Sequence, residues 1–317
     1  MHMTSAVKDS CDLLISYYNA ADRAFLMEHS SLLLAGALLY MNENREVDPA
    51  VLKSSREILR REENIFSLYR STAELSLVFL MSLSEDPLAV LKRVEHVTEK
   101  IATFWSRSEA LSAAMTIVSG CATPFEYDEK VLRTRELLQE MDRVHPMLTG
   151  ENDLPFAALL AVNETYERDL LEEAEKCYRY LRKEVKTSHE CAQIMSLILS
   201  IYPKAAHVKV GKIKAIAEGL RTSSRGLTPN RTAAILAILT EAEGARKDII
   251  KDLLEAEDHL CEFYPAKGLF GIGYTNRRLA ATFLIALLRS HSQRLSPAAV
   301  SVMTSLFIDS VAQRSSC

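Results

Sequence analysis

Leu32-Leu33-Leu34-Ala35-Gly36-Ala37-Leu38-Leu39-Tyr40-Met41 is apolar almost all the way round a helix, so no face of it is suited to water. It is far shorter than the ~20 residues that span a bilayer, and therefore reads as a helix buried on several sides within protein. Runs of the same kind recur at Leu75 to Leu83, Leu111 to Val118, Leu154 to Val162, Ile194 to Tyr202, Ala233 to Leu239 and Leu279 to Leu288. Between them lie segments with a single apolar stripe at helical spacing, such as Leu170, Ala174, Cys177 and Leu181, or Ile249, Leu253, Ala256 and Leu260. These read as amphipathic helices covering the buried ones.

The punctuation agrees. Asp48-Pro49, Asp86-Pro87 and Ser296-Pro297 each place a capping side chain before proline at a first helical position. Ser71-x-x-Glu74, Ser106-x-x-Glu109 and Thr187-x-x-Glu190 have the form of capping boxes, and Thr228-Pro229 is a further cap with proline. Ser31, Thr72, Ser108, Asp153, Ser188, Pro229 and Asn276 then mark the starts of the buried helices, with a mean spacing of about 41 residues. That period falls near the ~40–47 residues of two-helix repeats, whose hairpins bury their apolar faces only by stacking. The chain holds just 10 glycines and 9 prolines in 317 residues and shows no series of alternating short segments, so strands are not expected. The expected fold is all-α: stacked helical hairpins, α-solenoid-like, about seven two-helix units. Residues 1–30 are expected to form an N-terminal capping helix, with Leu13, Leu14, Tyr17, Ala20 and Phe25 facing inward, and residues 31–317 a single hairpin array.

Asn64-Ile65-Phe66-Ser67-Leu68-Tyr69-Arg70-Ser71, the apolar run after it and Ser84-Glu85-Asp86-Pro87 resemble a bacterial family, domain of unknown function 4003. Leu154-Pro155-Phe156-Ala157-Ala158-Leu159-Leu160 and Ser196-Leu197-Ile198-Leu199-Ser200 resemble later landmarks of the same family. The resemblance implies a helical cytoplasmic protein and carries over no activity, cofactor or catalytic residue.

Composition narrows function mainly by exclusion. With 38 basic and 42 acidic side chains there is no global field for nucleic acid or an anionic membrane. Met1 to Ser10 lacks the apolar core of a signal peptide, so a cytoplasmic protein without a membrane span is expected. The six cysteines form no Cys-x-x-Cys pair and read as reduced, packed side chains. Glu255 with His259 and His96 with Glu99 share helix faces, but neither pair makes a metal site, and no metal, cofactor or catalytic residue is assigned. The glycine cluster Lys267 to Tyr274 fits no nucleotide-binding pattern and reads as a flexible or partner-binding loop between the last two hairpins.

Two groups of residues are candidate sites. Tyr69, Arg70, Trp105, Arg107, His189, Arg231, Tyr274, Arg277 and Arg278 recur at or just before buried-helix starts. Stacked units would align them in a ridge of arginines and aromatics, types enriched at interface hot spots. The segment Pro203 to Thr232 holds seven basic residues and one acid, and Lys209, Lys212 and Lys214 within it are candidate anion ligands. The leading expectation is a protein-interaction scaffold with another protein as partner. The alternatives are an enzyme with a central pocket in a closed α/α ring, where Glu74, Glu109, Asp153 and Glu190 would face inward, or an anion or nucleic-acid binder through residues 203–232.

Overall fold

The structure, a computed structural model, describes residues 4–25, 28–62, 72–101, 108–163, 169–185, 187–223, 231–263, 273–291, 294–297, 299–303 and 305–306. Among these the regular structure is helical throughout, with no strand. In order run α1 (Ser5–Ala24), α2 (Ser30–Asn42), α3 (Pro49–Arg61), α4 (Thr72–Ser82), α5 (Pro87–Ile101), α6 (Glu109–Cys121) and α7 (Tyr127–Val144). A 3-10 turn, Glu151–Asp153, leads into α8 (Leu154–Asn163), followed by α9 (Leu170–Glu184), α10 (His189–Ser200) and α11 (Ala206–Thr222). The 3-10 helix Arg231–Glu241, α12 (Arg246–Phe263) and α13 (Tyr274–Leu288) come next. A last helical stretch lies within 297–306. None of the helices among the described residues is long and apolar enough to cross a membrane.

The starts follow the capping logic. Asp48 accepts the Ala50 amide at 2.8 Å and Asp86 that of Ala89 at 3.0 Å, each ahead of its proline. Two expected boxes are displaced. The hydroxyl that caps α6 is Ser108, accepting from Leu111, and the one that caps α10 is Ser188, accepting from Cys191. Neighbouring hydroxyls make the pattern degenerate, and the residue whose oxygen reaches the free third amide becomes the cap. Ser71, Ser106 and the Thr228-Pro229 pair lie outside the described residues. The N-terminal stripe is also shifted: Val7, Cys11, Leu14, Ile15, Tyr18 and Ala21 are the buried face of α1, while Leu13 is exposed.

Each covering helix packs on the helix that follows it, from α1 on α2 through α12 on α13. The buried helices touch in a circuit: α2 with α4, α4 with α6, α6 with α8, α8 with α10, α10 with the 3-10 helix, that helix with α13, and α13 with α2. The first covering helix, α1, packs against α3 on one side and α12 on the other. Side chains bond across this meeting of the chain's two ends. His259 of α12 lies 2.7 Å from Asp12 of α1, and the Asn276 amide of α13 donates to Ser31 of α2 at 2.5 Å. Beyond α13, the Leu295 amide donates to Asn42 Oδ1 at 2.8 Å, and Leu295, Ala299, Val302, Met303 and Leu306 are buried. This C-terminal strap is therefore held on the buried helices.

α2 and α4 approach closely because Gly36 has no side chain. A Cβ there would fall 2.2 Å from the Phe79 ring, itself wedged edge-on against Phe25 and Tyr40 with centroids 6.1 and 6.3 Å away. Gly36→Ala is expected to destabilise the fold by about 1–3 kcal/mol in a urea titration. Adding Phe79→Leu should recover part of that loss if the clash is its cause.

Candidate functional site

A cavity of about 910 Å³ lies between α2, α4, α5, α6 and the C-terminal strap. α2 contributes Leu32, Ala35, Gly36 and Leu39, whose spacing of three and four residues keeps them on one face. Phe79, Leu80 and Leu83 of α4, Val94 of α5 and Ile117 of α6 continue the apolar wall, and Leu295, Pro297 and Val300 of the strap cover it.

Four of the hydroxyls in this wall donate to carbonyls of their own helices. Thr116 donates to the Ser112 carbonyl at 2.9 Å, Ser119 to Thr116 at 3.2 Å, Ser301 to Pro297 at 2.8 Å and Ser305 to Ser301 at 2.8 Å. Their protons are directed to the backbone, so they add little donor capacity to the cavity. Cys121 also lines it, with its sulfur 3.8 Å from Ser301 Oγ. Burial pushes this thiol above its ordinary value, against a smaller lowering by Ser301, so it stays protonated near neutrality. The charged groups among the described lining residues are Glu43, Arg93 and Arg294. Glu43 accepts from Arg294, whereas Arg93 lines the cavity and is exposed.

The residues expected to matter are placed differently. Tyr69, Arg70, Trp105 and Arg107 lie outside the described residues, as does the Arg231 side chain. His189 is exposed at the start of α10, with Nδ1 2.8 Å from the Tyr178 hydroxyl and Nε2 2.8 Å from the Arg182 guanidinium. A guanidinium only donates, so Nε2 accepts and the imidazole proton sits on Nδ1. Tyr274 and Arg278 do come together: the guanidinium donates to the Tyr274 hydroxyl at 2.6 Å and lies 5.4 Å from the ring centroid. Arg277 and Arg278 are nevertheless buried, and Arg278 pairs with buried Glu257 of α12.

The basic segment is likewise engaged internally. Lys209 is 0% exposed, bonding Glu173 at 2.8 Å and the Tyr202 carbonyl at 3.1 Å. Lys212 donates to the Thr240 and Ala242 carbonyls at 2.9 and 2.6 Å, and burial beside Lys204 holds its ammonium below the ordinary value. Lys214 faces Glu184 at 3.4 Å. Glu74, considered as a ring carboxylate, instead receives Arg56 and Arg60 of α3 at 2.6 and 3.1 Å. Asp153 accepts the Gly150 amide at 2.9 Å. Neither Glu74 nor Asp153 lines the cavity. Among the described residues no cluster of three or more metal-ligating side chains occurs, and Cys11, Cys121, Cys177, Cys191 and Cys261 are free thiols.

Helices and a cavity between them define the class, an all-α protein with a partly open pocket. The pattern of the family described as "Protein of unknown function (DUF4003)" matches residues 17–313 of the 317, and the chain belongs to that family. No curated protein and no solved structure matches it.

Removing one partner of a buried ion pair strands the other charge. Arg278→Ala is expected to lower stability by about 3–5 kcal/mol in chemical denaturation, while Arg278→Met with Glu257→Leu keeps most of it.

Proposed function

We propose that seven hairpins close into a ring, and that the ring is a binding module for a small, mainly apolar molecule held in the cavity beneath the C-terminal strap. The circuit of contacts among the buried helices, returning from α13 to α2, supports closure. On this reading α1 is one member of the outer layer rather than the cap of an open array. The observation that carries the binding reading is the cavity itself. About 910 Å³ lies within the ~300–1,000 Å³ usual for ligand pockets, and its wall is apolar with self-bonded hydroxyls.

The protein-interaction scaffold remains a second reading, favoured by Phe125 and Met147, which are 99% and 93% exposed. It predicts that a captured partner is lost on Phe125→Ser or Met147→Ser while the cavity is unaffected.

The cavity reading is tested with a neutral fluorophore, N-phenyl-1-naphthylamine. Gly120 lines the cavity, and a Cβ on it would meet no atom within 4 Å, so Gly120→Trp fills space without a clash at the attachment point. The wild type should enhance the dye's fluorescence with a micromolar Kd, and bound dye should slow alkylation of Cys121. Gly120→Trp should weaken binding at least about tenfold with an unchanged melting temperature. No fluorescence change, or equal binding by the variant, overturns the proposal.

A further inference from the structure

We propose that the occupant is a single-chain amphiphile with an anionic head, a long-chain carboxylate whose head is held at Arg93; this rests on the ligand reading of the cavity. Charge is the first argument. The described lining carries two guanidiniums, Arg93 and Arg294, against one carboxylate, Glu43. Glu43 and Arg294 pair with each other, leaving the positive charge of Arg93 uncompensated within the lining.

Donor capacity is the second. Thr116, Ser119, Ser301 and Ser305 direct their protons to backbone carbonyls, so these positions offer an anion no free donor. An anionic head buried among them would be desolvated without compensation. At Arg93, which is exposed yet lines the cavity, the head keeps water and gains a planar fork of N–H donors suited to a carboxylate.

Shape and polarity are the third. Arg93 is exposed, while Leu32, Ala35, Leu39, Phe79, Val94 and Ile117 of the same lining are buried, an apolar wall that suits an alkyl chain. The combination places a polar contact at the solvent side and leaves the interior to the tail.

The test is displacement of N-phenyl-1-naphthylamine from the full chain by dodecanoate and hexadecanoate, with dodecanol and hexadecanol as neutral counterparts. The carboxylates should bind about tenfold more tightly than the alcohols of equal length, with affinity rising roughly threefold to fourfold per added methylene until the cavity is filled. Arg93→Gln should bring the carboxylate down to the affinity of the alcohol, and Arg93→Lys should restore part of the difference. Equal displacement by acid and alcohol in the wild type overturns the head-group assignment and leaves the cavity reading standing. Equal weakening of both by Arg93→Gln also overturns it, because the arginine would then be structural. Bound dye that no chain displaces rejects this class of occupant. Failure of the dye itself to bind rejects the cavity reading beneath it.

Discussion

α2 has no face fit for water, and this constrains the whole chain. Every residue from Ser31 to Tyr40 is buried, and the elements near α2 in sequence, α1 and α4, cannot surround it. Its remaining side is covered by α13, more than two hundred residues away, through the buried Asn276–Ser31 hydrogen bond and the packing around it. α13 is in the same position, buried from Asn276 to Leu287. An open stack needs polar outer faces on its terminal units, and neither helix has one. The apolarity of these two helices thus makes the meeting of the chain's ends a requirement rather than an accident of packing. The desolvated Asn276–Ser31 pair helps fix the register at which the ends meet.

Much of the helical layout was legible because a helix enclosed on all sides must be apolar on all sides. Where the flanking residues are described, the expected buried-helix starts fall within about two residues of the observed ones: Asp153 and Ser188 directly precede Leu154 and His189, Ser31 is one residue late, and Tyr274 precedes the expected Asn276 by two. Register inside an element was harder to read. In α1 the choice between Leu13 and Leu14, or Tyr17 and Tyr18, depends on which stripe meets α2 and α12, and the local sequence contains no term for those neighbours. The capping hydroxyls at 187 and 188 pose the same problem, since two adjacent residues could each serve and packing of the helix selects one.

The cavity was not legible. Its walls come from α2, α4, α5, α6 and a strap nearly two hundred residues further along the chain. Each contributes residues that alone describe a core helix. Small residues in its wall, such as Ala35 of α2 and Ala113 of α6, come from helices whose placement around one space no local pattern records. The hydroxyls mislead as well: in a sequence Thr116, Ser119 and Ser301 look like polar recognition groups, yet their bonds to carbonyls three or four residues earlier make the wall more apolar than its composition.

Charge shows why residue type is a poor guide to a site without geometry. Lysines spaced along α11 suggest a surface for anions, but a covering helix lies within reach of its neighbours. Lys209 and Lys214 meet carboxylates of α9, and Lys212 meets the Thr240 and Ala242 carbonyls at the end of the 3-10 helix. Such contacts brace adjacent elements, and a long flexible stem lets lysine make them where a shorter side chain would fall short. Arg278 serves α12 and α13 in the same manner through Glu257. A cation marks a binding site when the fold brings it to a concave surface without also supplying its counter-charge. Among the described residues lining the cavity, Arg93 has no carboxylate left to pair with, although nothing in Leu91-Lys92-Arg93-Val94 distinguishes it from an ordinary solvated position on an amphipathic helix.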